Sequence, residues 1–362
     1  MRADLVPALD PSPVPGPPAL LVVLWIVTFL LHLFCVNAAM GGALFATLLP
    51  LRLSGEPRRA VSLFFVNANS WALSLAITFA IAPLLFLQVL DGRYFYTASI
   101  LVAPVWLGLL LLLMLAYYLN WLAKFRLRDG KSAAGLLAVT AALYLVIAGI
   151  QTAVHLLSVQ PGLWGSFLAR PALVLADPTF PPRFLHFVLA AVAMAAILPA
   201  AWPRPLGDAA PEAARFGLRV SLAATLLQFV AGLWLLGALP RPVLTALVTG
   251  GLATLAPLGL GALAGIAILM ILVKAAAAPG DVRLARFALG AFAAAALFMI
   301  VTRHQVRDLY LAASGAAERM EVAPQWGVLA LFLLVFVVCA GLTVWAVVRA
   351  VRDRPGPGEA AA

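Results

Sequence analysis

Residues 19–50 read ALLVVLWIVTFLLHLFCVNAAMGGALFATLLP, without a single Asp, Glu, Lys or Arg. As a helix the stretch would run roughly 48 Å, well over the ~30 Å hydrocarbon layer of a bilayer. It is too long for the apolar core of a cleaved signal peptide. The segment before it is rich in proline (Pro11, Pro13, Pro15, Pro17, Pro18) rather than basic. The stretch therefore reads as a retained membrane helix.

The rest of the chain repeats this pattern. Of its 362 residues, 64% are hydrophobic and only 10% charged, with mean hydropathy +1.06, against about a quarter charged in soluble domains. Further apolar runs fall at 62–90, 98–123, 133–158, 184–202, 216–239, 243–273, 284–302 and 325–349. The expected fold class is all-α: a polytopic transmembrane bundle of about nine spans. A Pro-rich outer segment (1–18) would precede one helical membrane domain (19–349) and a cytoplasmic tail (350–362). The seventh run contains Gly250, Gly251 and Pro257, which predict a kink or close helix packing.

The net charge of +10 has a topological explanation. Eight cations, Arg2, Arg93, Arg170, Arg183, Arg241, Arg303, Arg307 and Arg319, fall on one set of span ends. The other 16 of the 24 fall on the opposite set, among them Arg58, Arg59, Lys124, Arg126, Arg128 and Arg286. The positive-inside rule then puts the N-terminus outside and the C-terminus inside a bacterial plasma (inner) membrane. No basic stripe interleaved with aromatics marks a nucleic-acid partner. Cys35 and Cys339 lie in apolar runs and form no CxxC or CxxCH, so neither a zinc site nor a covalently attached haem is encoded.

The four histidines are the informative residues: His32, His155, His186 and His304. All lie in spans or at their outer ends. Ionisable groups in membranes usually face the bundle interior and mark function. Neutral imidazole between membrane helices is a standard ligand of haem iron. The alternative for any one of them is a polar residue hydrogen-bonded near a helix end. All 14 carboxylates fall in loops, tails or at span edges, which argues against a proton-coupled carrier.

Three segments carry a resemblance. Span one contains HLFCVNAAMGGALF around His32. The fifth span opens with PPRFLHFVLAAVAMA around His186. The second ends FLQVLDGRYFY. With nine spans and an outer N-terminus, this resembles subunit I of the cytochrome bd quinol oxidases over roughly residues 19–200. The resemblance implies that His32 and His186 ligate haem iron. Gln88 stands where that family has an acid. In RLARFALGAFAAAALFMIVTRH, Leu289 stands where the family has a Met ligand, with Met299 or His304 as substitutes. A Leu-Pro-Arg-Pro turn replaces the long quinol-binding loop.

The resulting expectation is an oxidoreductase component holding one or two haem b groups. His155 and His304 would be second ligands or propionate partners, and Arg183, Arg303 and Arg307 would meet propionates at the outer rim. Expected partners are quinone or quinol, lipid, other membrane subunits and an outer c-type cytochrome. The competing expectations are a haem-free anchor subunit of a membrane complex, and a transporter.

Overall fold

The structure is a computed structural model, and it describes residue 7 and residues 13–315 and 321–352. Most of the 1–18 segment and of the 350–362 tail lies outside these. Within them the fold is helical: α1 (Pro18–Leu48), α2 (Gly55–Leu101), α3 (Ala103–Arg128), α4 (Ala134–Val159), α5 (Trp164–Ala169), α6 (Phe180–Ala201), α7 (Ala210–Ala238), α8 (Arg241–Thr249), α9 (Leu252–Ala277), α10 (Val282–Ala313) and α11 (Trp326–Arg352). Nine of these are long and apolar enough to cross a membrane, α5 and α8 being the short ones. The chain is a multi-pass membrane protein.

Three boundaries differ from the hydropathy reading, each for a physical reason. Helix α2 starts about two turns early and runs on past residue 90 to Leu101, bending at Asp91, whose φ −143° and ψ 22° are not helical. The proposed third run at 98–123 therefore begins inside α2, and α3 is displaced toward Arg128. The seventh run is two helices, α8 and α9. They part at Gly250 and Gly251, and Gly251 takes φ +88°, a conformation open to glycine. The segment after residue 302 is not a loop: α10 continues unbroken to Ala313 and keeps Arg303, His304 and Arg307 in helical register.

Helix α1 packs against α2, α4, α6 and α10, and α6 is the most enclosed of the nine spans. Small residues permit this. A Cβ built on Gly41 would lie 1.9 Å from the carbonyl oxygen of Ala191, so the backbones of α1 and α6 touch. A Cβ on Gly217 would lie 2.2 Å from the carbonyl oxygen of Ala196, bringing α7 equally close. The lipid-like solvent offers no hydrophobic gain on helix association, so such close backbone approach supplies the packing energy instead. Neutral hydrogen bonds add to it. Asn120 Nδ2 donates to Val66 O (3.0 Å) and Ser70 Oγ (3.2 Å), and Tyr144 Oη donates to Asn69 Oδ1 (2.9 Å).

Nine crossings put the starts of α1 and α11 on one face of the bundle. A backbone bridge agrees: Val14 N donates to Glu321 O (2.8 Å) and Ala323 N to Val14 O (3.1 Å). The ends of α4 and α10, the start of α6 and the Asp91 bend lie on this same face.

Candidate functional site

This end of the bundle, the histidine face, brings together His155 and His304, while His186 lies six residues into α6 and His32 fourteen residues into α1, nearer mid-bundle. His155 ends α4, and its two ring nitrogens meet two arginines from two other helices. Arg183 Nη1 of α6 is 3.3 Å from Nε2, and Arg303 Nη2 of α10 is 3.0 Å from Nδ1. A neutral imidazole accepts through one nitrogen only, so it cannot satisfy both guanidiniums. The guanidinium of Arg303 also sits over the Phe29 ring of α1, 5.1 Å from its centroid, and Phe29 in turn stacks on His32 at 6.0 Å.

One turn of α10 further on, Arg307 Nη2 donates to His304 Nδ1 at 2.6 Å. The same nitrogen comes within 2.9 Å of Asp91 Oδ2, close but poorly aligned for a hydrogen bond. His304 Nε2 faces Asp308 at 3.6 Å. Trp25 of α1 covers both partners: its ring lies 5.7 Å from that of His304 and 5.4 Å from the Arg307 guanidinium carbon.

The bend at Asp91 is what turns this carboxylate into the bundle. Its neighbour Gln88 is exposed, its side chain reached only by Tyr96 Oη at 3.5 Å. The structure thus places Gln88 apart from the cluster. Met299 is apart from it as well, packed against Gly261 of α9. Sequence reasoning missed Asp91, Trp25 and Phe29. Two signals were available: a carboxylate beside a glycine inside a long apolar run, and aromatics at His32 minus three and minus seven, on one helix face.

The histidines divide into two kinds. His155 and His304 have both ring nitrogens facing charged side chains. His32 and His186 do not. His32 Nδ1 is 2.8 Å from Ala76 O of α2, and His186 Nδ1 is 3.2 Å from Gln228 O of α7. A carbonyl only accepts, so in both rings Nδ1 carries the proton and the neutral imidazole presents its lone pair at Nε2. His32 Nε2 has no hydrogen bond among the described residues. His186 Nε2 is met by the Gln228 amide at a long 3.4 Å. A backbone carbonyl on Nδ1 with Nε2 left basic is the arrangement that orients metal-bound histidines.

Charge is also unevenly matched. Arg183 and Arg307 are buried, and Arg303 is half-buried with its Nε wholly enclosed. Among the described residues, Arg183 Nε and Nη2 and Arg303 Nε have no hydrogen-bond acceptor. Against the three cations stand Asp91 and Asp308 at Arg307 and, near Arg183, the half-buried Asp177, with the Asp308 side chain 55% exposed. Uncompensated charge away from water is costly unless an anion meets it. Among the described residues no three His, Cys, Asp or Glu side chains group to hold a bare metal ion. A metal bound by these histidines would need equatorial ligands of its own.

Comparison with known proteins leaves the geometry to speak alone: no family model, no curated protein and no solved structure matches this chain.

Proposed function

We propose that the chain is the membrane-embedded b-type haem subunit of a redox complex. It would pass electrons between a quinol and a haem protein, such as a c-type cytochrome, docked at the histidine face. The observation that carries this reading is the shared geometry of His32 and His186: Nδ1 is held by a carbonyl of the neighbouring helix, and Nε2 is unbonded in His32 among the described residues and met only by the long 3.4 Å Gln228 contact in His186. The two helices that bear them, α1 and α6, pack directly on one another.

The residues present fit a haem in two independent ways. Two histidines would offer Nε2 atoms, and the guanidinium N–H groups of Arg183 and Arg303 that lack acceptors among the described residues would suit propionates. Haem would supply one-electron transfer at an iron tuned by its axial ligands. The chain's own residues do the rest. Ala76 and Gln228 carbonyls fix the two imidazoles. Arg183 and Arg303 hold carboxylates through unmatched N–H donors. Arg307, tied to Asp91 and His304, fixes the position of α10 against α1 and α2. His155 spaces the two arginines, and Trp25 and Phe29 keep the cations in place and exclude water. One or two haem b groups suit this ligand set. The excess of Lys and Arg at the opposite ends of the spans supports reading the histidine face as the outer one, in a bacterial inner membrane.

The test is a reduced-minus-oxidised visible spectrum with pyridine haemochrome on the purified protein, beside His32→Ala and His186→Ala. A b-type band that falls in either variant supports the assignment. A purified wild type with no haem band overturns it and leaves a haem-free anchor subunit.

A further inference from the structure

At the opposite end of α2 a cavity of about 690 Å³ runs along the helix, between its first turns, the end of α3 and Pro205. That volume falls within the ~300–1,000 Å³ of small-molecule sites. Glu56 and Arg128 stand at its mouth, and Phe64, Asn67 and Trp71 line it deeper in. Arg59, also at the mouth, is already engaged: Nε with Glu56 Oε2 and Nη1 with Leu127 O, both at 3.1 Å. Asn67 differs. It lies eight residues beyond Arg59, about 12 Å further into the membrane along the helix. It is half-buried and has no hydrogen bond among the described residues. A primary amide at that depth is expensive without a partner. The nearby Asn69 and Asn120 are both satisfied.

We propose that this groove binds the ring of a quinone-class amphiphile, with Asn67 hydrogen-bonding a ring carbonyl or hydroxyl and Phe64 and Trp71 in contact with the ring and tail. The choice of ligand class rests on the electron-transfer reading above. The depth of Asn67 favours a quinone over a phospholipid, whose polar atoms would stay near Arg128 and whose acyl chains offer an amide nothing. Trp71, 72% exposed on the bundle surface, leaves the groove open to a ligand arriving through the bilayer. Asn67 and Ala76, the carbonyl partner of His32, lie nine residues apart on one helix, about 14 Å along its axis. The groove therefore reaches toward the level of His32 from the other face.

The experiment is a calorimetric titration of decylubiquinone into the full-length protein in a non-ionic detergent, with Asn67→Ala, Trp71→Leu and Arg128→Ala beside the wild type. Elution as a single species on gel filtration shows that each variant is folded. Saturable binding that weakens about tenfold in Asn67→Ala, and stays within twofold in Arg128→Ala, supports the site. Trp71→Leu is expected to weaken it as well, which gives a second reading if Asn67→Ala does not fold. Absence of saturable binding, or equal affinity in Asn67→Ala, overturns it. So does phosphatidylglycerol that is retained by the wild type and lost in Arg128→Ala when decylubiquinone shows no saturable binding, which makes the groove a phospholipid site. The titration reads binding alone. Quinone binding without a haem band would sink the cytochrome reading and leave the groove, and a haem band without quinone binding would do the reverse.

Discussion

Two sets of polar residues sit inside this bundle, and they follow opposite rules. At mid-bundle, Asn120, Ser70, Tyr144 and Asn69 are neutral, and their side chains find partners on neighbouring helices. At the histidine face, three arginines crowd two histidines beside Asp91, Asp308 and Asp177, and among the described residues several donors have no acceptor. The first set is what a membrane bundle needs in order to hold together, at roughly 0.6 kcal/mol per interhelical bond. The second set costs stability as it stands. Under the haem proposal, the unmatched donors at that end are where an anionic group would offset the cost.

Substitutions can break or sharpen that contrast. The largest effect belongs to neither set but to the contact that supports both. Gly41→Leu drives a side chain into the Ala191 carbonyl and should destabilise the protein by about 3 kcal/mol or more, read as loss of folded yield and a lowered melting temperature. His32→Ala and His186→Ala should abolish most of the b-type absorbance while the protein still purifies as a single species.

Arg303→Leu and Arg183→Leu separate a site from a scaffold. Each removes a charge that lacks full compensation, so the haem-free protein should melt no lower than wild type, by scanning fluorimetry. Haem retention should fall about 10- to 100-fold, the worth of a charge-assisted hydrogen bond. A variant that lost stability without losing haem would assign the arginines to the scaffold. Tyr144→Phe should cost the least, about 0.6 kcal/mol of stability, with the spectrum unchanged.

Much of the architecture was legible before any coordinates. Nine apolar runs gave nine spans, because the bilayer demands internally satisfied backbone over a fixed length. The histidines stood out because ionisable groups are rare in such runs. Hydropathy misjudged the ends of α2 and α10 for one shared reason. It scores Asp91, Arg303 and Arg307 as water-seeking and so ends a span there. Instead, α10 runs on and α2 resumes after its kink, where Arg307 meets Asp91 and Arg303 meets His155 inside the bundle. The same averaging treated Asp91 as a residue at a span edge, when the bend in α2 turns it inward.

The sequence by itself determined that this chain lives in a membrane, how many times it is long enough to cross, and which four imidazoles it has to offer. Tertiary structure decided what kind of group each became. His32 and His186 pack beside carbonyls of α2 and α7, which fixes the proton on Nδ1 and leaves Nε2 basic. His155 and His304 pack beside arginines, which face both ring nitrogens of the first and Nδ1 of the second. The tautomer a histidine presents is set by whichever atom of another helix lies within about 3 Å of its ring. Such a neighbour is a matter of three-dimensional packing between segments 44 and 42 residues apart, and periodicity along one helix does not encode it.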